Sequence, residues 1–244
     1  MAVATAVIIC VLSVFNGFRA TISGRLSSMQ PDVILVPAEG KVFAGADSVA
    51  ARAARVKGVA LATATLTDNA LAICNSREMP VTLKGVNPEV FGKVTGIRQL
   101  VDTTTGRYIH APREAALAIG TASQLGAIPE MDLMLFTPKR SGGVNMANPA
   151  ASFISDSVAI TGVYRADQQE YDENGVITDI ATARQLLQYD TEASAIEISA
   201  QKGTDPTTLA ERLAKEFGPQ FIAKDRLRQQ EMNFRMVSIE KWVS

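Results

Sequence analysis

The chain has 244 residues, with 24 Lys and Arg against 25 Asp and Glu, and its formal net charge is -1. This balance excludes a basic field for nucleic acid and an acidic tail. The two cysteines, Cys10 and Cys74, lie in an apolar segment and in a strand-like run. We expect them not to pair, so the chain is not a disulfide scaffold.

The chain opens on an apolar segment. No Lys or Arg precedes Arg19 and no cleavage site follows Phe15, so the segment lacks the marks of a secretory signal. A membrane helix needs about 20 mainly apolar residues, and residues 1–18 nearly supply them. We therefore expect a membrane span whose first residues are missing. The alternative is a helix in a soluble core.

Residues 31–86 predict a strand, a helix and two further strands. The sequence PDVILVP is typical of a strand, and DSVAARAARVKG is typical of a helix. We expect Asp47 to cap the start of this helix and Gly58 to lie at its C-terminal end. The runs VALATATLTDNALAI and MPVTLKGV predict the second and third strands.

Residues 87–190 are different in character and predict a small, mostly β unit inserted into the rest. Strands are predicted at EAALAIG, DLMLFTP and DSVAITGVYR, and short helices at TASQLGA and IATARQLLQYD. Asn174 and Gly175 carry a turn signal. The acidic run ADQQEYDENG lacks the alternating oxygen ligands and the closing Glu of a calcium loop. We interpret it as a solvated hairpin tip.

Residues 191–226 predict the same order of strand, helix and strand as the beginning of residues 31–86. SAIEISA alternates like a half-buried strand, and QFIAKD is the returning strand. The helix between them is capped by Asp205, carries Pro206 at its first position and ends at Gly218. The two flanking units are expected to share one sheet with both helices on one face, which is an α+β fold.

Both ends of the chain carry helical stripes of apolar residues. The first stripe is Phe15, Phe18, Ile22, Leu26 and Met29, and the second is Met232, Met236, Ile239 and Val243. The stripes are compatible with two arrangements. The two helices either pair to form a stalk, or each packs separately on the domain. The closing sequence places a Trp beside a Lys, as at a membrane–water interface. We expect the chain to be the loop between two spans of a larger protein.

The sequence offers no catalytic or metal constellation. His110 is the only histidine and is expected to lie in a surface loop, since no Cys or second His accompanies it. There is no P-loop, dinucleotide fingerprint or nucleophile elbow. We expect no enzymatic activity and no cofactor.

One loop stands out, at residues 142–152. It joins two predicted strands and is longer than a tight hairpin needs, so it is either functional or disordered. Pro149 restricts itself and Asn148 to extended conformations. Asn145 and Asn148 offer amide hydrogen bonds, and Met146 offers an adaptable apolar contact.

The runs VLSVFNGFR, LKGVNPE and EAALAIGTASQLGA, together with the closing NFRMVSIEKWV, resemble the lipoprotein-releasing ABC permeases of the LolC and LolE family. That family is related to MacB-type exporters and to the FtsX-like group. The resemblance implies a porter-like part at residues 31–86 and 191–226 and an inserted Sabre-like part at 87–190. It also implies a truncated first span and stalk at 1–30, and a stalk helix leading to a second span at 227–244.

The resemblance implies a domain in the periplasm, held by the bacterial inner membrane. Expected partners are a second permease subunit, a cytoplasmic ATPase on a separate chain, lipoprotein substrates and a LolA-like periplasmic carrier. It makes residues Val144, Asn145, Met146, Asn148 and Pro149 the candidates for carrier binding. The rival readings are a MacB-like mechanical exporter of small molecules or peptides and an FtsX-like signalling permease.

Overall fold

The computed structural model describes residues 29–140 and 152–229. The strands are β1 Val33–Pro37, β2 Val59–Cys74, β3 Arg77–Val86, β4 Glu114–Ala118, β5 Asp132–Pro138, β6 Phe153–Tyr164, β7 Gly175–Asp179, β8 Ala195–Ala200 and β9 Phe221–Asp225. The helices are α1 Ala46–Ala53, α2 Pro88–Val94, α3 Ile97–Leu100, α4 Ile119–Leu125, α5 Gln169–Asp172, α6 Ile180–Leu187 and α7 Pro206–Phe217, with a 3-10 turn at Gly218–Gln220. Helices and strands are mixed, as expected for an α+β chain.

All nine described strands belong to one hydrogen-bonded sheet with the order β3-β7-β4-β6-β5-β2-β8-β1-β9. Because β3 also pairs with β2, the first six strands close into a ring. The long strand β2 takes part in both halves of the sheet. Its first residues pair with β8, and its later residues pair with β3 and β5. A closed six-stranded ring and an open four-stranded layer therefore share one strand.

The open layer has the order β2-β8-β1-β9, and all its pairings are antiparallel. Helices α1 and α7 pack on the same face of this layer, where Leu35, Ile196 and Leu213 are fully buried in one hydrophobic cluster. The flanking segments thus share one sheet with both helices on one face. Burial of such side chains stabilises the layer by about 1.5–3 kcal/mol for each large apolar residue.

The ends of α7 lie where its sequence predicts them. The Asp205 carboxylate accepts a hydrogen bond from the Thr208 amide at 2.9 Å, Pro206 occupies the first turn, and Gly218 follows the last residue. The predicted cap of α1 is wrong. Gly45 occupies the capping position in the left-handed conformation, and Asp47 lies within the first turn, where it pairs with Arg184 at 3.5 Å.

The ring encloses the largest buried cluster. Alternate residues of its six strands join side chains of α4 and α6 there, among them Leu83, Leu117 and Leu133, which are all fully buried. Helix α6 approaches β3 closely because Gly85 has no side chain. A Cβ atom at Gly85 would lie 2.3 Å from the Cβ of Ala183.

The interpretation of the acidic run ADQQEYDENG as a hairpin tip is wrong. Strand β4 lies between β6 and β7, so residues 165–174 cross over β4 and include the short helix α5. The Asp172 carboxylate holds this crossover, because it accepts hydrogen bonds from the amides of Ala166 at 2.7 Å and Gln168 at 3.1 Å. The Asn174–Gly175 turn signal is overridden by long-range pairing, since β7 runs parallel to β3.

The alternation in β8 predicts a half-buried strand, and this prediction is wrong. Both faces of β8 are covered. Glu197 is 2% exposed and pairs with Lys84 on β3, with 2.6 Å between Oε1 and Nζ. The Thr65 hydroxyl of β2 donates to the same carboxylate oxygen at 3.1 Å. This buried ion pair joins the ring to the open layer across the strand that they share.

The predicted apolar stripes at the two ends lie outside the described residues, apart from Met29. That side chain is 4% exposed and packs in a third cluster, with Val86 and Phe91. Within residues 29–140 and 152–229, no helix combines the length and the apolar character that crossing a membrane requires.

Candidate functional site

The residues predicted to bind a carrier, Val144, Asn145, Met146, Asn148 and Pro149, lie outside the described residues, in the gap 141–151. Their role therefore stays a prediction. The structure does describe both ends of this segment, where β5 stops and β6 begins. The ends determine where the segment leaves the sheet. The described residues around these two ends form the candidate site.

Strands β5 and β6 are antiparallel neighbours, and their pairing extends to the end of both strands, where Pro138 lies opposite Phe153. One further backbone bond follows, from the Lys139 amide to the Ser152 carbonyl oxygen at 2.8 Å. The segment 141–151 is therefore the connection of a hairpin. The backbone hydrogen bonds between β5 and β6 hold its two ends side by side. The position of the connection on the domain is therefore fixed at both ends.

The C-terminal end of α6 supports the base of this connection. The Thr137 hydroxyl, on β5, donates to the Leu186 carbonyl oxygen at 2.5 Å. The Arg140 amide donates to the side-chain oxygen of Gln188 at 2.7 Å. Gln188 adopts the left-handed conformation (φ 55°) that ends the helix. These bonds hold the end of β5 against the C-terminal end of α6, and the connection begins at this point of the ring.

The Arg140 guanidinium stacks on Tyr189, with 3.8 Å from its central carbon to the ring centroid. A cation over an aromatic face contributes about 0.5–1 kcal/mol at an exposed site. Burial raises the pKa of Tyr189, which keeps its hydroxyl neutral, while the charge of Arg140 opposes that shift. No sequence motif points to Arg140, Gln188 or Tyr189 as site residues. The one signal in the sequence is the Gln-Tyr pair near the end of the run predicted as a helix, IATARQLLQYD.

A groove of about 570 Å³ lies beside the base of the connection. Its apolar lining comes from Leu71, Phe136 and Phe153, and Phe153 is 46% exposed. Asp68 and Arg140 also line it. An apolar surface beside charged side chains suits the contact of a protein segment, because the apolar part gains from burial and the charges orient the partner.

His110 lies in a loop, as predicted, and its side chain is 67% exposed. Nearby, Glu114 accepts hydrogen bonds from both terminal nitrogens of Arg107 and from the His110 amide at 2.9 Å. The bonds from Arg107 lower the pKa of Glu114 to about 2. A carboxyl group this acidic is ionised at neutral pH and is a poor general acid. Its bonds instead hold the loop that precedes β4.

The part of the chain that the structure describes contains no cluster of His, Cys, Asp or Glu side chains that could hold a metal ion. Cys74 is buried as a free thiol, and burial raises its pKa, which makes it less reactive. The described residues around the β5–β6 connection, with the apolar groove and the charge of Arg140, suit contact with a protein partner.

Comparison with solved structures shows the fold. The periplasmic region of MacB from Actinobacillus actinomycetemcomitans has a TM-score of 0.57 at 11% identity, over 86% of this chain and 95% of that one. The extracellular domain of the noncanonic ABC-type transporter YknZ from Gram-positive bacteria has a TM-score of 0.55 at 12% identity, over 79% and 99%. A domain of a putative permease from Porphyromonas gingivalis scores 0.49 at 15% identity, over 81% and 89%.

Comparison with curated proteins finds no match. The sequence does match a family, the MacB-like periplasmic core domain, over residues 1–216. The match covers more than half of the chain and includes the first flanking segment, the inserted block and the second flanking segment as far as residue 216. The chain therefore belongs to the MacB-like periplasmic core domains, which are the extracytoplasmic parts of FtsX-like ABC transporter permeases.

Proposed function

We propose that this domain couples ATP hydrolysis in the cytoplasm to the extraction of lipoproteins from the inner membrane and to their handover to a LolA-like periplasmic carrier. In this proposal a separate subunit hydrolyses ATP, and a second permease subunit completes the transporter. The open layer of β2, β8, β1 and β9 corresponds to the porter-like part. The inserted block supplies most of the Sabre-like part.

The observation that carries the proposal is the anchored connection between β5 and β6. The pairing of Lys139 with Ser152 and the bond from Arg140 to Gln188 hold both of its ends. A segment presented from fixed ends loses less conformational freedom on docking than a free linker does. The neighbouring groove, with Phe153 at its lining, offers apolar area to a bound protein. By the sequence resemblance, this connection would capture the carrier.

Mechanical coupling also needs a route from the membrane side to this connection. Strand β2 supplies one, because it begins in the open layer and ends in the ring. The Lys84–Glu197 pair joins the two parts beside that strand. A displacement of the open layer would therefore reach the ring through a continuous strand and a buried ion pair, rather than through a flexible linker.

A MacB-like exporter is the second candidate, and the likeness to the MacB periplasmic region favours it. Reconstitution separates the two functions. The full chain, its partner permease and the ATPase subunit are placed in proteoliposomes loaded with a lipoprotein. Lipoprotein release that requires both ATP and the carrier supports our proposal. ATP-driven export of a peptide or small molecule without such release would favour the exporter instead.

A further inference from the structure

A basic groove of about 590 Å³ lies between helices α1 and α7 on the outer side of the open layer. It is lined by Arg52, Arg55, Lys57, Arg212 and Lys215, with Glu216 as its one carboxylate. These side chains give the groove an excess of four positive charges, whereas the whole chain has a net charge of -1. Cations are therefore concentrated at one place, which the even distribution of charge in the sequence does not predict.

Two guanidinium groups of the basic groove are held in place. Arg52 donates to the Glu216 carboxylate at 2.9 and 3.0 Å and to the Glu216 carbonyl oxygen at 2.6 Å, and it lies 4.6 Å from the centroid of the Phe217 ring. Arg212 donates to the Lys57 carbonyl oxygen at 3.3 Å. A guanidinium that is already oriented loses less entropy when it binds a carboxylate.

The close approach of the two helices at this point depends on Gly58. Its φ of +100° is in the region that favours glycine, and an added Cβ atom would lie 2.9 Å from the Cγ2 of Thr204 and 3.4 Å from a guanidinium nitrogen of Arg212. The turn after α1 therefore lies directly beside α7. The contact between this turn and α7 closes one side of the space between the two helices, and the surface there is a groove.

The other three cations remain available. The side chains of Arg55, Lys57 and Lys215 are exposed, and they form no ion pair with any carboxylate in residues 29–140 or 152–229. Like charges held near one another repel, and a ligand that carries carboxylates relieves this repulsion. The basic groove thus combines two oriented guanidinium groups with three exposed cations that have no counter-ion among the described residues.

We propose that the basic groove docks an acidic segment of a protein partner, one that presents several carboxylates along a short stretch. Arg pairs with carboxylates through two parallel hydrogen bonds, and Lys adds unspecific attraction. The concave shape suits a protruding chain. This site lies on the open layer, whereas the predicted carrier loop leaves the ring, so the proposal does not depend on the carrier.

The position of the groove favours a protein over the membrane surface. Lys57 precedes the start of β2, at the edge of the sheet where Val33 and Asp225 lead to the flanking segments. In one of the two arrangements that the sequence leaves open, the residues between Phe18 and Met29 form a helical stalk. A helix over residues 19–28 would be about 15 Å long. The Debye length is about 8 Å at physiological ionic strength, so headgroup charges would be largely screened at this distance.

The test uses the full chain in nanodiscs of neutral phosphatidylcholine and a fluorescein-labelled oligoglutamate peptide as the probe. The groove variant carries Arg55→Gln, Lys57→Gln and Lys215→Gln. The control variant carries Lys41→Gln, Lys93→Gln and Lys139→Gln, so it loses the same charge at exposed positions elsewhere. Fluorescence anisotropy should show the groove variant binding the peptide more than tenfold more weakly, about 1.4 kcal/mol. The control variant should stay within about twofold, because distant exposed charges are screened.

Equal losses in the two variants would overturn the proposal, since the attraction would then come from net charge alone. Wild-type affinity in the groove variant would overturn it as well. Groove-dependent binding of phosphatidylglycerol vesicles without binding of the peptide would identify the membrane as the ligand instead. Self-association in analytical ultracentrifugation that is lost only in the groove variant, again without peptide binding, would identify a second copy of the chain. Equal thermal midpoints of the three proteins show that folding is not the cause.

Discussion

Replacing Lys84 by Met should destabilise the domain strongly, because Lys84 is the counter-ion of a buried carboxylate. The side chain of Glu197 is 3% exposed, that of Lys84 is 22% exposed, and their charged atoms lie 2.6 Å apart. The second carboxylate oxygen, Oε2, is buried without a hydrogen-bond partner among the described residues. Lys84→Met keeps most of the volume of the side chain and removes the charge, so that Glu197 remains buried and uncompensated.

Breaking a buried pair by removing one partner costs about 3–5 kcal/mol. The partial exposure of Lys84 puts the expected loss near the lower end, at about 3 kcal/mol. At about 2–4 °C per kcal/mol for a domain of this size, the thermal midpoint should fall by about 6–12 °C. The double variant Lys84→Met, Glu197→Gln should recover most of the loss, because it leaves no buried charge.

The assay is urea unfolding of the purified chain, followed by far-ultraviolet circular dichroism, as a double-mutant cycle with Glu197→Gln. Lys41→Met is the control, since Lys41 is exposed and forms no ion pair with a described residue. That control should change the free energy of unfolding by less than about 0.5 kcal/mol. If Lys84→Met is as mild as the control, or if the double variant is no more stable than Lys84→Met, the pair does not hold the ring to the open layer.

Two further changes test local features of the fold. Gly58→Ala should lower the free energy of unfolding in urea by about 1 kcal/mol more than Gly203→Ala does. Both glycines have positive φ, but only at Gly58 would an added Cβ atom contact Thr204. Equal losses would show that the contact with α7 is unimportant. Arg107 lowers the pKa of Glu114 from 4.5 to about 2, so the stability that wild type has over Glu114→Gln should be complete above pH 4.5 and should disappear as the pH falls towards 2. A stability difference that does not change across this range would mean that the pKa of Glu114 is not lowered.

Regular elements with clear local patterns could be predicted from the sequence. The strand-like runs of β2 and β3 and the Asp205–Pro206 start of α7 are signals carried by adjacent residues. The resemblance to ABC permeases also led to the family, although the match identifies MacB-like periplasmic core domains and leaves the lipoprotein-releasing role as a proposal. Local patterns suffice where the residues that decide the structure are neighbours in the chain.

The errors have long-range causes. Asp47 is an ordinary capping residue, but Gly45 can adopt the left-handed conformation that starts α1, and Arg184 from a distant helix pairs with Asp47. The turn signal at Asn174 and Gly175 does not form a hairpin, because β4 takes the place between β6 and β7. Glu197 would face solvent in a two-layer arrangement, and its ion pair with Lys84 and the hydrogen bond from Thr65 compensate its burial.

The candidate site shows the same division. The sequence singles out residues 142–152 by length and composition, but it does not show what supports their ends. Arg140, Gln188 and Tyr189 come together because β5 ends beside the C-terminus of α6. The basic groove likewise assembles from α1 and α7, which are far apart in the sequence. Neither cluster is visible until the packing of the helices on the sheet is known.

The binding of the periplasmic carrier to the full chain tests the central claim most directly. The variant has residues 144–149 replaced by Gly and Ser, and the control has Lys202→Ser and Glu211→Ser at exposed positions on the open-layer side of the domain. Isothermal titration should show the loop variant binding the carrier more than tenfold more weakly, about 1.4 kcal/mol, while its thermal midpoint and the affinity of the control stay at wild-type values. Carrier affinity that is unchanged in a folded loop variant, or no binding by wild type, would contradict the assignment of this domain to lipoprotein handover.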